Sequence, residues 1–316
     1  MKEINNISVI GAGTMGHGIA EVFATGGYAV QVYEPHATVR EKAGRAIQDE
    51  LELLAEMGRI DAAAIPAILA RIAFHDDLAV AVANSDFVIE AIPEDVTLKQ
   101  ELFARLDALC PAEAILASNT SSLSLPDMIS TVRPERVSNC LTCHWYNPAH
   151  LIPLVELSDF GSSSAQTLEA VEALFRKVGK KTIRVLKDIP GLIANRIQQA
   201  IAREVFSLIE MKAASPEDID NALKYGPAFR YATTGQLEIA DFGGIDIWCT
   251  VGDNLLPLIS AEQKASELLR QKIAENKLGL KSGEGFFVYD QAQRQAVTRD
   301  FHTRLIRQLA VSEQNQ

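Results

Sequence analysis

A glycine-rich turn between a short apolar run and an amphipathic segment is the feature that most restricts how this chain folds. Residues 7–10 are mostly β-branched and apolar, and after them Gly11, Gly13 and Gly16 follow the spacing Gly-x-Gly-x-x-Gly. Apolar residues then recur at helical spacing, and 29–33 has the pattern of a second buried strand. A strand, a turn, a helix and a strand within about thirty residues form a βαβ unit.

This context predicts that the turn binds a dinucleotide. Gly11 permits the tight turn, Gly13 lets the backbone approach a pyrophosphate, and Gly16 allows the helix to pack closely on the strand. We assign Thr14 and Met15, inside the turn, to the same site. A turn that merely closes a strand–helix junction is the structural alternative.

Glu34 ends the second strand, 18 positions after Gly16. A carboxylate there accepts hydrogen bonds from the adenosine ribose and repels a 2′-phosphate. The sequence therefore favours NAD over NADP.

The remaining pattern predicts a two-domain α/β architecture. Apolar runs typical of parallel strands covered on both faces recur in the first half of the chain, at 72–74, 87–92, 114–117, 137–141, 154–157 and 181–185. The segment between the second strand and the run at 72 is patterned as a helical pair, and the chain after 190 is almost entirely helical up to a strand-like run at 285–289. We expect a Rossmann-type doubly wound parallel sheet with an inserted helical hairpin over 1–187, and an all-α domain over 188–316.

Composition excludes several classes of protein. The 316 residues carry a net charge of −11, which repels phosphate backbones, so a nucleic-acid partner is not expected. No apolar run reaches the ~18–20 residues of a membrane helix, and the first residues lack a secretion-signal pattern. These observations predict a cytoplasmic protein with no membrane partner, whose four cysteines are free thiols.

One motif is typical of a different class of protein, the c-type cytochromes. Cys140-x-x-Cys143-His144 matches the pattern of c-type haem attachment. It lies within an expected strand and without an export signal, and the other cysteines are too isolated to complete a zinc site. We expect neither haem nor a metal.

Taken together, six segments resemble the 3-hydroxyacyl-CoA dehydrogenase family, in the family's order and over almost the whole chain. They are residues 11–16, 88–95 with Lys99, 117–123, 144–148 with 154–157, 190–196 and 279–286. The resemblance implies an NAD-dependent oxidoreductase of fatty-acid metabolism, with the substrate in a cleft between a Rossmann domain and a helical domain that also forms a homodimer.

The resemblance also implies roles for individual residues. His144 is the general base and Glu156 is its partner, while Ser121 and Asn195 contact substrate and nicotinamide. Glu94, Lys99 and Asn119 line the cofactor cleft, and Asn147 is a further candidate for substrate contact.

The residue types suit this chemistry. Oxidation of a secondary alcohol requires a base that takes the hydroxyl proton, and an imidazole titrates near neutrality. A carboxylate on its other nitrogen fixes the tautomer. Alternatives remain for each residue: Glu156 on an edge strand would face water, Ser121 could cap a following helix, and Asn195 could be an ordinary helix-face residue.

The substrate stays open between a 3-hydroxyacyl-CoA and a small CoA-free hydroxy-carboxylate or related alcohol. The inserted hairpin, which binds CoA phosphates in the family, is rich in acidic residues here, which disfavours anion binding. Arg230, followed by Tyr231, offers a guanidinium that can clamp a carboxylate or, alternatively, pair with an acidic neighbour. A non-catalytic nucleotide-binding protein is the hypothesis from another class.

Overall fold

The computed structural model describes residues 3–187 and 189–314. Backbone contacts divide the chain into two compact units, the first ending at Ile193 and the second beginning at Ala194. The boundary expected between 187 and 188 falls on Asp188, which lies outside the described residues.

The first unit is built on one eight-stranded sheet in the order β3-β2-β1-β4-β5-β6-β7-β8. All neighbouring strands are parallel except β6 and β7, which are antiparallel. The strands are β1 Asn6–Ile10, β2 Ala29–Tyr33, β3 Ile72–His75, β4 Phe87–Glu90, β5 Ile115–Ser118, β6 Cys140–Trp145, β7 Leu154–Ser158 and β8 Lys181–Arg184.

Helices connect these strands and cover the sheet. They are α1 Gly16–Thr25, α2 Ala37–Glu56, α3 Ile65–Leu69, α4 Leu78–Val82, α5 Val96–Leu109, α6 Leu125–Met128, α7 Pro134–Val137 and α8 Ala165–Lys177, with a 3₁₀ turn at Ala62–Ala64. Two clusters of buried apolar side chains, one containing Phe23 and the other Phe103, form the core. This arrangement confirms the predicted doubly wound sheet and the helical insertion after β2.

Local sequence explains where the elements begin. Asp95 and Ser164 precede α5 and α8, and the side chain of each accepts a backbone N–H from the first turn of its helix. The expected strand over 137–141 is wrong in its start, because Pro134 and Glu135 favour a short helix that includes Val137. The strand begins instead at Cys140 and continues to Trp145, so His144 lies inside it.

The second unit is helical, as predicted. It contains α9 Ala194–Glu210, α10 Pro216–Tyr225, α11 Pro227–Tyr231, α12 Gln236–Gly243, α13 Ile245–Leu255, α14 Glu267–Ala274 and α15 Arg294–Gln314, with a 3₁₀ turn at Gln291–Gln293. The strand-like run at 285–289 forms only isolated β-bridges. Among the described residues, no helix of either unit is long and apolar enough to cross a bilayer.

Many large apolar side chains of the second unit remain exposed. Its buried apolar side chains among the described residues are Ile219, Ile239 and Ile306. Leu237 and Phe242 on α12 are 85% and 84% exposed, and α13 exposes a row of further apolar residues. A face of this kind is characteristic of an interaction surface.

Candidate active site

The glycine turn lies where the strand order of the sheet reverses. β1 pairs with β2 on one side and β4 on the other, and the turn follows the carboxyl end of β1. In open α/β sheets this switch point is where ligands bind. Gly11 has a φ of +96°, and an added Cβ would lie 3.0 Å from the carbonyl oxygen of Ala91. At Gly16 a Cβ would collide with the Gly11 carbonyl, at 1.8 Å, so both positions require glycine.

The same turn presents unused hydrogen-bond donors. In the part of the chain that the structure describes, the backbone N–H groups of Gly13, Thr14 and Met15 have no protein acceptor. No atom lies within 4 Å of where a Gly13 Cβ would sit, so the turn is open there. Donors at the start of α1 together with the helix dipole suit an anionic pyrophosphate.

Glu34 is fixed at the end of β2. One carboxylate oxygen accepts the Ala12 N–H at 3.3 Å and the other accepts the His36 N–H at 3.0 Å. The side chain of Arg40 donates to the Glu34 carbonyl oxygen at 2.6 Å, which holds the backbone of this corner. Glu34 is therefore a buried carboxylate beside the glycine turn, and the residues present fit NAD.

His144 and Glu156 meet across neighbouring strands. They form a register pair in the β6–β7 ladder, with 2.8 Å between His144 Nδ1 and a Glu156 carboxylate oxygen. The other carboxylate oxygen accepts the Ile193 N–H at 2.9 Å, and Glu156 is fully buried. The alternative in which Glu156 faces water on an edge strand is wrong, because β8 pairs with the outer side of β7.

Ser121 belongs to a loop that is organised by Glu94. One Glu94 carboxylate oxygen accepts the Thr120 hydroxyl at 2.6 Å and the N–H groups of Ser121 and Ser122, each at 2.9 Å. Burial raises the pKa of Glu94, but the Thr120 hydrogen bond, the charge of Lys99 and the contacts from the serines outweigh it and hold that pKa at about 2. Ser121 does not cap the next helix, since the residue preceding α6 is Ser124.

Lys99 lies beneath this loop and is 1% exposed. Its ammonium is 2.6 Å from Glu90 and 3.3 Å from Glu94, and the Ser118 hydroxyl also donates to Glu90. The family resemblance implies that Lys99 lines the cofactor cleft, but it assigns no role to the buried partner Glu90. A carboxylate that ends an otherwise apolar strand, nine residues before a lysine, was the available signal.

The first unit contains further residues that the sequence singled out, namely two asparagines and two cysteines. Asn119 accepts the Trp145 N–H at 2.8 Å, which ties the end of β5 to the residue after His144. Asn147 is exposed. Cys140 and Cys143 are completely buried in β6, and burial raises the pKa of both thiols.

Two candidates belong to the second unit. Asn195 is half-buried at the start of α9. Arg230 is exposed in α11, where its carbonyl oxygen accepts hydrogen bonds from the N–H groups of Thr233 and Thr234.

Comparison with family models matches nearly the whole chain. Residues 6–189 match the NAD binding domain of 3-hydroxyacyl-CoA dehydrogenase, and residues 191–289 match the C-terminal domain of the same family.

The chain is similar to curated proteins of more than one activity. It is 32% identical to a 5-formyl-3-hydroxy-2-methylpyridine 4-carboxylate 5-dehydrogenase from Mesorhizobium japonicum, over 96% of each chain. It is 35% identical to a probable 3-hydroxybutyryl-CoA dehydrogenase from Bacillus subtilis, over 92% of this chain and 99% of the relative.

The solved structures that resemble the chain also include enzymes of both activities. A crystal structure of a 5-formyl-3-hydroxy-2-methylpyridine 4-carboxylic acid 5-dehydrogenase, described as an NAD⁺-dependent dismutase, superposes with a TM-score of 0.88 at 30% identity over 99% of both chains. An (S)-3-hydroxybutyryl-CoA dehydrogenase from Ralstonia eutropha gives 0.72 at 32% identity, over 91% of this chain and all of the other.

Proposed function

Because the chain belongs to the 3-hydroxyacyl-CoA dehydrogenase family and is an NAD-dependent dehydrogenase, we propose that it transfers hydride between NAD and a secondary 3-hydroxyl group, with His144 as general base and Glu156 as its partner. The observation that carries the proposal is the 2.8 Å contact between the His144 ring and the buried Glu156 carboxylate. NAD, when bound, supplies the hydride acceptor.

In this proposal, the contact with Glu156 determines which nitrogen of the His144 ring carries a proton. An ionised carboxylate only accepts hydrogen bonds, so His144 Nδ1 carries a proton when Glu156 is charged. The neutral ring then has its lone pair on Nε2, which takes the proton of the alcohol. Glu156 stabilises the imidazolium that forms, and the Ile193 N–H keeps the carboxylate from rotating away.

Other residues of the first unit hold the two ligands in this proposal. Ser121 shares a hydrogen bond with the reacting oxygen, and the Glu94 contacts fix the loop that carries it. The cofactor is held by Gly11, Gly13, Thr14, Met15, Gly16, Glu34, Glu94, Lys99 and Asn119. Lys99 contributes through its ion pair with Glu94.

The primary substrate class is a 3-hydroxyacyl-CoA, as the family implies. Asn147 and Asn195 are assigned to substrate contact. We also propose a cytoplasmic location and, from the family resemblance, a role in fatty-acid metabolism.

A CoA-free hydroxy-carboxylate or related alcohol is the second candidate, and specific observations favour it. A relative named for a pyridine carboxylate is 32% identical over 96% of the chain, and a solved structure of an enzyme with that activity superposes with a TM-score of 0.88. Helix α2, in the inserted hairpin, carries five acidic and three basic residues, which does not suit CoA phosphates. The exposed guanidinium of Arg230 can bind a carboxylate in a bidentate manner.

One absorbance assay of NADH formation tests both the role of His144 and the substrate class. His144→Ala should lower kcat by about 10²- to 10⁴-fold while NAD still binds, and unchanged turnover would remove His144 from the mechanism. The same assay compares 3-hydroxybutyryl-CoA with free hydroxy-carboxylates. If the substrate is CoA-free, Arg230→Ala should raise KM for the carboxylate. Arg230→Lys should recover part of the loss, because lysine keeps the positive charge but cannot form the bidentate hydrogen bonds of a guanidinium.

We further propose a homodimer formed through the second unit. Its support is the exposed apolar face of α12 and α13, which a second copy of the chain would cover.

A further inference from the structure

His17 lies one helical turn after Gly13 and contacts it directly. Its ring Nδ1 is 2.7 Å from the Gly13 carbonyl oxygen, and its Nε2 is 3.3 Å from a carboxylate oxygen of Glu50 on α2. Neither the spacing of the glycines nor the family resemblance assigned a role to this histidine. The contact places an ionisable ring directly behind the turn.

Both partners of the ring are hydrogen-bond acceptors. A carbonyl oxygen only accepts, so Nδ1 must carry a proton, and a carboxylate draws a proton onto Nε2 as well. Burial lowers the pKa of His17, but the hydrogen bond and charge of Glu50 and the bond to Gly13 outweigh burial and raise that pKa overall. Both ring nitrogens therefore face acceptors, an arrangement that favours the imidazolium.

The surroundings of Glu50 keep it ionised. Burial raises the pKa of Glu50, but hydrogen bonds with His17 and Glu21 and the nearby charges of His150 and His17 lower it to about 2. His150 Nδ1 lies 3.7 Å from the other carboxylate oxygen. Burial and the contact with Glu50 raise the pKa of Glu21 well above its usual range, although the charge of Lys180 acts in the opposite direction.

We propose that His17 is a positioning residue that strengthens dinucleotide binding by a charged hydrogen bond to the Gly13 carbonyl. This bond polarises the peptide unit between Gly13 and Thr14, and the Thr14 N–H on its other side is one of the donors without a protein acceptor. It also fixes the turn, and it places the positive ring nearer to the turn than the negative carboxylate of Glu50.

Direct binding of NAD by calorimetry tests the proposal independently of the catalytic assignment. His17→Ala should weaken NAD binding by about tenfold, the scale of a lost charge-assisted hydrogen bond. His17→Asn should recover part of the loss, because its amide nitrogen can replace Nδ1 while the charge is gone. The matched control is Arg71→Ala, which removes a hydrogen bond from a guanidinium to the Ala24 carbonyl oxygen at 3.1 Å, at the end of α1 opposite to the turn.

Two further readouts separate positioning from a general loss of structure. At saturating NAD, the kcat of His17→Ala and its KM for the alcohol should stay within about twofold of the wild type. The reason is that the variant loses NAD affinity to the same extent in the ground state and in the transition state. NMR spectra of ¹⁵N-histidine-labelled wild type and His17→Ala near neutral pH identify the His17 signal as the one that the variant lacks. In the wild type, this signal should show two protonated ring nitrogens.

NAD affinity of His17→Ala equal to the wild type would overturn the proposal. An equal loss in the Arg71→Ala control, or failure of His17→Asn to recover any affinity, would also do so. A ¹⁵N signal with one bare ring nitrogen would refute the imidazolium.

Discussion

His144 and Glu156 stand directly opposite each other on the antiparallel strands β6 and β7, so the backbone ladder itself sets the position of imidazole and carboxylate. A slip of one residue in this register would turn one of the two side chains to the other face of the sheet. The pair thus derives its geometry from the sheet and not from a mobile loop, and this is the kind of support that keeps a proton acceptor oriented.

Glu156→Gln tests the carboxylate separately from the base. A glutamine amide can donate to Nδ1, which favours the tautomer with the proton on Nε2, and it cannot stabilise an imidazolium. We expect kcat to fall by about 10²- to 10⁴-fold with NAD affinity unchanged, measured by steady-state kinetics and calorimetry. Glu172→Gln, which removes the ion pair with Arg184 in the same unit, is the control and should keep full activity. Wild-type kcat in Glu156→Gln would show that the contact is structural only.

Sequence patterns predicted the doubly wound sheet because the glycine turn and the apolar runs are local signals. The antiparallel direction of β7 had no such signal, since a buried strand has the same apolar composition in either direction. His144 and Glu156 were identified through the family motif, and their contact depends on that direction.

The buried pair of Lys99 and Glu90 shows a second limit of sequence analysis. Lysine and glutamate are almost never fully buried unless they are paired, so composition alone places both at the surface. Only the packing of α5 against the carboxyl end of β4 brings them within 2.6 Å. His17 and Glu50 lie 33 residues apart in the chain, so their contact likewise depends on how the helices pack.

Glu34 should determine the choice between NAD and NADP. Replacing it by serine removes the charge that repels a 2′-phosphate, so the ratio of kcat/KM for NADP to that for NAD should rise at least about tenfold. Because Glu34 also accepts two backbone N–H groups, Glu34→Gln is the companion variant that keeps one acceptor oxygen. An unchanged ratio in both variants would contradict the ribose role.

Glu94 should make folding stability sensitive to acid. Its pKa is about 2 in the folded protein against 4.5 as the ordinary value, so its contribution is complete above pH 4.5 and is lost as the pH falls towards 2. Urea unfolding at near-neutral pH should show Glu94→Gln destabilised by roughly 1–2 kcal/mol, allowing for its partial exposure. The difference from wild type should shrink below pH 4.5. Glu113→Gln, at an exposed position of the same unit, should show no such dependence.

Three of the four thiols should be unreactive in the folded protein. Burial raises the pKa of Cys110 and Cys140 to about 12 and raises that of Cys143 well above its usual range, and all three are buried. A Cys249→Ser variant should therefore show no fast reaction with a thiol-specific disulfide reagent, and three thiols should react after unfolding. Fast labelling of the folded variant would contradict the placement of these side chains in the core.

The exposed face of α12 predicts the consequence of a charge placed on it. Leu237 is 85% exposed, and if a second copy covers it, Leu237→Glu would bury an unpaired carboxylate at the interface. Light scattering should then give the mass of two chains for wild type and of one chain for the variant. Leu98→Glu is the matched control, since Leu98 is 47% exposed on α5 of the first unit and should leave the dimer intact. A dimer that survives Leu237→Glu at low micromolar concentration would place the interface elsewhere, and a single-chain mass for the wild type would refute the homodimer itself.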